Sequence, residues 1–317
     1  MLLGSLFRSV FGKETDIKME VDLSGANVDI LESILVRLTK EEIVRCRKVC
    51  RKWRTLIDSC SFWIAKEEFD GSEYTKSLVQ SGQPLLSSDF TKLSVLRPFN
   101  RNLLLTENAS GRTEYAKHSD PRWFFSNGGQ GWRYETPPSF LGEHFDPEFK
   151  PLFDSCLVTS YGLCSKTMDL NMSELGIDDK ILDEHRPPII FTEWVSNRSD
   201  CGSLYKMKLC FYDENGLELA SEEEDISFDQ WSHQLWRKME VVLKSYPKGC
   251  RILRVYSASR DTQFWASDVF IIFLLKFQAG HYGAKIAGSE LVIKMDSSPP
   301  PVKEPDYPGE SRFKPME

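Results

Sequence analysis

The apolar positions along the chain fall into two textures, the first of them helical. From Asn27 onward Ile30, Leu31, Ile34, Leu35 and Leu38 recur at intervals of three and four, the spacing that lines one face of an α-helix. Thr39 followed by Glu42 has the form of a capping box, so one helix is expected to end there and another to begin. In Thr39 to Arg54 a stripe of Ile43, Cys46, Val49, Cys50 and Trp53 is flanked by Arg45, Arg47, Lys48, Arg51, Lys52 and Arg54. A third short helix is expected to carry Leu56 and Ile57 toward Phe62 and Trp63. So few short helices cannot bury all these large side chains among themselves, because so small a core saturates. Apolar surface is left over, either for a partner or for packing on the rest of the chain.

Beyond Arg97 alternation replaces helical spacing. Strands are expected over Ile189 to Val195, Leu204 to Tyr212 and Ile252 to Ser257, between turn clusters such as Asn197-Arg198-Ser199-Asp200 and Asp213-Glu214-Asn215-Gly216. Within the Leu204 segment, Tyr205, Met207, Leu209 and Phe211 alternate with Leu204, Lys206, Lys208 and Cys210, which makes one face apolar and the other mixed. Many such strands suggest an antiparallel sandwich, and with the helices before it the chain reads as α+β and multidomain. The Gly128, Gly129 and Gly131 run matches no phosphate-binding spacing and reads as a chain reversal, with Trp132 after it in the core. Glu222 to Asp225 read as a solvated loop. The expected division is a disordered segment 1–21, a helical module 22–70, a linker 71–96 with one helix near Tyr74 to Ser81, a β domain 97–295, and a proline-rich disordered tail 296–317.

Composition narrows the function classes. A length of 317 residues with 41% hydrophobic and 27% charged residues suits two globular domains. Forty basic against 47 acidic residues leave a formal charge of −7, which argues against nucleic acid as the main partner. The eight cysteines form no Cys-x-x-Cys pair or cysteine-histidine cluster, so neither structural zinc nor another cofactor is expected, and they read as reduced thiols of a cytosolic protein. Arg8 and Lys13-Glu14 break up the apolar start, so no secretory signal is read there, and no run is long enough to span a membrane. The Asn-x-Ser triplets at Asn108, Asn171 and Asn197 then carry no meaning as glycosylation sites.

The segment from Ile30 to Trp63 resembles the F-box family through Ile30-Leu31, Ile34-Leu35, Leu38, the run Val49-Cys50-Arg51-Lys52-Trp53, and Trp63. That resemblance implies docking on the Skp-family adaptor of a cullin-RING ubiquitin ligase. The implied adaptor-binding set is Ile30, Leu31, Ile34, Leu35, Leu38, Val49, Cys50, Trp53 and Trp63. Ala26-Asn27 stands where the family carries leucine-proline, and Asn27 is suited to cap the first helix instead.

A second resemblance lies in the order of Arg97 to Leu104, Asn127 to Glu135, Ser160 to Lys166, Glu193-Trp194, Arg198 to Gly202 and Asp261 to Trp265. Together these look like the F-box-associated domain of the sugar-recognising F-box proteins. The resemblance implies a jelly-roll-like antiparallel β-sandwich whose loops at one end hold the innermost sugars of high-mannose N-glycans. It places the glycan site on Tyr161, Asp200, Phe264 and Trp265. A pyranose presents a C–H face to an aromatic ring and hydroxyls to polar groups, so Trp265 would stack, Tyr161 and Phe264 would wall the site, and Asp200 would accept from a hydroxyl. Phe264 lacks the hydroxyl of the family's tyrosine and Ala266 the ammonium of its lysine, and each lost hydrogen bond weakens binding by roughly 0.5 to 1.5 kcal/mol.

The expected function is therefore a non-catalytic, cytoplasmic substrate-recognition subunit working near the cytosolic face of the endoplasmic reticulum. It would present misfolded N-glycosylated proteins for ubiquitin-dependent degradation. One alternative is an adaptor for a non-glycan protein target. A carbohydrate-active enzyme is the other, against which stands the lack of a convincing acid pair. One stretch fits none of these readings: Ser267 to Ala279, thirteen residues rich in Phe, Ile and Leu, interrupts the family pattern, which resumes at Gly280. It is expected to be absent from the usual product, as retained intron sequence would be, because an exposed run of this kind invites aggregation. Sequencing transcripts across the junction should find messages that lack it; universal presence of the run would refute this origin.

Overall fold

The computed structural model describes residues 27–80, 89–104, 122–136, 138, 155–231, 236–262 and 280–295. The N-terminal segment, the proline-rich tail, Phe264, Trp265, Ala266 and the run 267–279 lie outside the described residues.

The first compact unit is helical. Helix α1, Val28–Leu35, is capped by Asn27, whose side-chain oxygen accepts from the Asp29 amide at 3.1 Å. Helix α2, Lys40–Cys46, starts in the expected capping box: Thr39 Oγ1 accepts from the Glu42 amide at 3.3 Å, and Glu42 Oε2 accepts from the Thr39 amide at 3.0 Å. Helix α3, Arg51–Ile57, does not run on toward Trp63 as expected. Ser59 intervenes, its hydroxyl accepting from the Phe62 amide, and a separate helix α4 occupies Cys60–Asp70. Such a side-chain acceptor satisfies a first-turn amide that the preceding helix cannot, which is why the chain restarts here. Helix α5 spans Tyr74–Gln80. A further helix, α6 at Phe90–Leu96, was not legible in the linker; Asp89 caps it by accepting from the Lys92 amide.

These later helices cover what the first three leave bare. Leu31, Leu35, Ile43, Ile57, Phe62 and Trp63 have no exposed surface, and Leu38, Trp53, Leu78, Phe90 and Leu93 are nearly as buried. Polar contacts pin the arrangement: Trp63 Nε1 donates to Thr91 Oγ1 at 3.4 Å, Lys40 Nζ to the Ser94 carbonyl at 2.9 Å, and the Thr75 and Ser94 hydroxyls lie 2.8 Å apart.

The second unit is the expected β-sandwich. Its strands are β1 Phe124–Ser126, β2 Arg133–Glu135, β3 Cys156–Val158, β4 Cys164–Asn171, β5 Ile189–Ser196, β6 Ser203–Tyr212, β7 Glu218–Phe228, β8 Arg237–Leu243, β9 Ile252–Asp261 and β10 Lys285–Ile293. They form two five-stranded sheets, β1-β4-β9-β6-β7 and β2-β3-β10-β5-β8, in which every pairing is antiparallel. The alternation in β6 holds: Tyr205, Met207, Leu209 and Phe211 are buried, while Lys206 and Lys208 are half-buried on the other face. Trp132 is also buried. Glu222 to Asp225, expected in a loop, lie instead within β7 at the edge of its sheet. Their side chains stay in solvent, Glu223 pairing with Lys206 of β6 at 2.8 Å, and earlier in the same strand Glu218 pairs with Lys208 at 3.0 Å. Backbone pairing along the whole register with β6 outweighs the weak strand preference of these carboxylates.

The interior is not uniformly apolar. Lys166 on β4 pairs with Glu193 on β5 at 2.6 Å, and both side chains are fully buried. Glu193 also accepts from the Tyr205 hydroxyl at 2.6 Å and from the Ser289 hydroxyl, while Lys166 Nζ donates to Ser289 Oγ at 2.7 Å and sits 4.6 Å from the centre of the Trp123 ring. Burial beside the Glu193 carboxylate pushes the Tyr205 phenol well up, so it remains a donor. A second buried pair joins Lys285 to Glu135. Because Lys166 and Tyr205 belong to one sheet and Glu193 and Ser289 to the other, this network ties the two layers together at one register. Replacing Glu193→Gln should strand a buried ammonium and destabilise the fold by about 3–5 kcal/mol in urea denaturation. The pair Lys166→Met with Glu193→Leu should recover at least half of that loss.

Candidate functional site

Strand direction alone decides where the site falls. β1, β7 and β9 run the same way in one sheet, since each pairs antiparallel with β4 or β6; in the other, β3 and β5 both pair antiparallel with β10. All five connections that leave an odd-numbered strand for the next even-numbered one therefore leave from strand ends that share a direction within each sheet, and hydrogen bonds show that they meet. The Gln130 amide donates to Ser160 Oγ at 3.0 Å, and that hydroxyl donates to the Gly280 carbonyl at 3.2 Å. The amides of Asp261 and Thr262 donate to the carbonyls of Ser160 and Gly202 at 3.2 and 2.9 Å, and the Trp231 amide to the Ser199 carbonyl at 2.8 Å.

Two of the four expected glycan residues belong to this cluster. Tyr161, in the β3–β4 turn, is 50% exposed, so it stands outside the core. Asp200, in the β5–β6 turn, is gripped by Arg198: Nε and one terminal nitrogen of the guanidinium donate to the two carboxylate oxygens at 2.8 and 2.7 Å. That bidentate contact holds the Asp200 carboxyl below the ordinary carboxylate range and raises the Arg198 pKa. Arg198 is itself stacked, its guanidinium 4.6 Å from the centre of the Tyr282 ring. Asp200 thus presents an ionised, partly exposed acceptor held in a fixed fork. Phe264 and Trp265 lie outside the described residues, whose nearest members on either side are Thr262 and Gly280.

Local sequence explains why the turns can approach so closely. Gly128 and Gly162 lie backbone against backbone: a Cβ on Gly128 would strike the Leu163 carbonyl, and one on Gly162 would strike the Gly129 amide. Cys164, buried beneath, is within 3.3 Å of the carbonyls of Gly128 and Gly131. Asn197, which heads an Asn-x-Ser triplet, is fully buried and donates to the Cys201 carbonyl at 2.7 Å, so it serves as the internal brace of the Asp200 turn. Sequence reasoning missed Arg198, Tyr282, Ser160 and Asn197 as contributors. The Arg-x-Asp spacing within a turn was the one available signal for the first of these.

The adaptor-binding set divides by burial. Ile30 and Val49 are 56% and 54% exposed, and Ile34 and Cys50 are half-buried. Leu31, Leu35, Leu38, Trp53 and Trp63 are interior, where they hold the helices in place and have no further area to bury against another protein. All eight cysteines are free thiols. Burial pushes Cys46 and Cys201 up to about 11 and Cys156 up to about 12. Among the described residues no group of His, Cys, Asp and Glu is placed to hold a metal ion.

The chain thus joins a helical module to a loop-tipped antiparallel sandwich. Residues 27–65 match the F-box domain model and residues 94–293 match the model of the F-box associated region. The chain belongs to the F-box proteins that carry this associated region. It is similar to F-box only protein 6 of Mus musculus, at 30% identity over 281 residues covering 87% of this chain and 85% of the relative. F-box only protein 6 of Bos taurus is 31% identical over 88% of this chain and 97% of the relative, and F-box only protein 27 of Mus musculus is 26% identical over 90% and 95%.

The tight seam between turns is directly testable. In Gly202→Ala the new methyl would collide with Thr262 Oγ1 and come within 2.8 Å of the Phe228 carbonyl. Three connections would have to move, and a loss of about 1–3 kcal/mol is expected in thermal or urea denaturation.

Proposed function

We propose that this chain is the substrate-receptor subunit of an SCF-type cullin-RING ubiquitin ligase. Its helical unit docks a Skp-family adaptor, and its sandwich selects N-glycosylated, misfolded proteins exported from the endoplasmic reticulum for disposal. The observation that carries this reading is the joining in one chain of an F-box with a sandwich whose hydrogen-bonded turns at one end carry an exposed Tyr161 and the Arg198-oriented carboxylate of Asp200. Such a pairing of aromatic face and directed acceptor suits a neutral sugar, and Trp265 would complete it from the β9–β10 connection. The chain works here as a binding adaptor, and chemistry is left to the ligase. Work in the cytoplasm accords with this role; among the described residues no helix is long and apolar enough to cross a membrane. A second reading, an adaptor for a polypeptide target, is favoured by Phe264 and Ala266, which remove two polar groups from the family's sugar site.

Two measurements separate the parts. Because Leu31, Leu35 and Trp53 are core, truncating them tests folding, with about 2–5 kcal/mol lost for each leucine, and says little of docking. The exposed pair does say it: Ile30→Asp with Val49→Asp should leave the chain folded yet abolish co-purification with the adaptor, and persistent association would count against F-box docking. On a glycan array, the full chain with its adaptor should retain high-mannose N-glycans, and Asp200→Ala should weaken them at least about tenfold, as loss of a charged hydrogen bond does. A folded chain that retains no sugar would transfer the case to the polypeptide target.

A further inference from the structure

Trp231 has the most exposed large apolar side chain among the described residues, at 76%. It sits in the connection after β7, with a φ of 62°, a left-handed conformation that bulky aromatic residues rarely adopt. The neighbouring backbone enforces that conformation. The Trp231 amide donates to the Ser199 carbonyl at 2.8 Å, and the preceding Gln230 donates through its side-chain amide to the Asp200 carbonyl at 3.0 Å. The indole is thus mounted on the turn that carries Asp200, and it gains neither burial nor relaxed backbone from being there.

We propose that Trp231 is a second sugar-stacking platform, holding a hexose ring outward of the sugar bound at Asp200. This rests on the glycan reading above and extends it from one subsite to two. The chemistry of the surroundings selects the occupant. An apolar peptide anchor needs a dry concavity, whereas the Trp231 side chain is 76% exposed and its backbone is seated on a polar turn, the Ser199 carbonyl accepting from its amide and the Asp200 carbonyl from Gln230. An exposed indole on a turn hydrogen-bonded to the one that carries the Asp200 carboxylate offers a pyranose both things it needs, an aromatic face for its C–H side and a polar acceptor for its hydroxyls. Mounting the ring on a braced turn also lowers the ordering cost of binding, which is what the strained backbone would secure.

The test uses the full chain with its Skp-family adaptor and two probes in calorimetric titration, N,N′-diacetylchitobiose and a high-mannose oligosaccharide that contains it. Trp231→Ala should weaken the oligosaccharide about three- to tenfold and leave the disaccharide unchanged, and Trp231→Phe should restore most of the loss. Trp231→Gly, free to adopt the left-handed backbone, should show the same loss of affinity while raising Tm by about 2 °C. Unchanged binding of both probes by Trp231→Ala would overturn the proposal, as would a fall in Tm accompanied by equal losses for both probes, the mark of a packing role. If Asp200→Ala loses the sugar and Trp231→Ala does not, only the second subsite falls; if the wild-type chain binds the adaptor and neither probe, the glycan reading falls with it.

Discussion

A lysine and a glutamate with no solvent around them fix how the two sheets face each other. Lys166 and Glu193 come from opposite layers, and with Tyr205 and Ser289 they satisfy one another's donors and acceptors inside the sandwich. Apolar contacts tolerate sliding, because any well-filled interface is nearly as good as another. A buried ion pair does not, since displacement by one residue leaves a charge unpaired at a cost of several kcal/mol. The layer register, and with it the set of turns that meet at one end, is therefore specified by directed interactions at least as much as by the aliphatic core. Lys285 and Glu135 add the same constraint within one sheet.

That register has its consequence at the strand ends. Turns from both sheets converge until backbone touches backbone at Gly128 and Gly162, and a single hydroxyl, Ser160 Oγ, links the first of these turns to the β9–β10 connection as well. A surface made this way is rigid without being buried. Asp200 shows the result: its side chain is partly exposed, yet its direction is set by Arg198, which is itself stacked on the Tyr282 ring. Preorganisation of this kind removes part of the entropy that a flexible loop would lose on capturing a hydrophilic ligand.

The helical unit solves a different problem. Its first three helices carry more apolar surface than they can cover, and α4, α5 and α6 take up most of it. What remains outside, among the described residues, is a small exposed group, Val28, Ile30, Val49, Phe69 and Val79. Residues that share a helical stripe thus have unlike roles: Leu31 holds the unit together, and its neighbour Ile30 is free to meet another surface.

The sequence by itself determined the class of each half. Helical spacing, the Thr39 capping box, strict alternation through β6 and the glycine-rich reversal were all legible, because they depend on local periodicity and on turn chemistry that acts within a few residues. Family motifs also marked Tyr161 and Asp200. Only the tertiary structure decided which polar residues are interior and which apolar ones are not. Lys166 and Lys206 look alike in a strand, yet one is buried against Glu193 and the other stands beside Glu223 at an edge. Glu222 to Asp225 read as a loop until an edge register with β6 made them strand, and α6 stayed hidden in a stretch that reads as linker. Ile30 and Leu31 fit the same stripe and are separated by burial, while Trp231 gave no sign that it would stand in solvent beside Asp200. The reason is common to all: periodicity reports the element a residue belongs to, and its partner is chosen across distances in sequence over which periodicity carries no information.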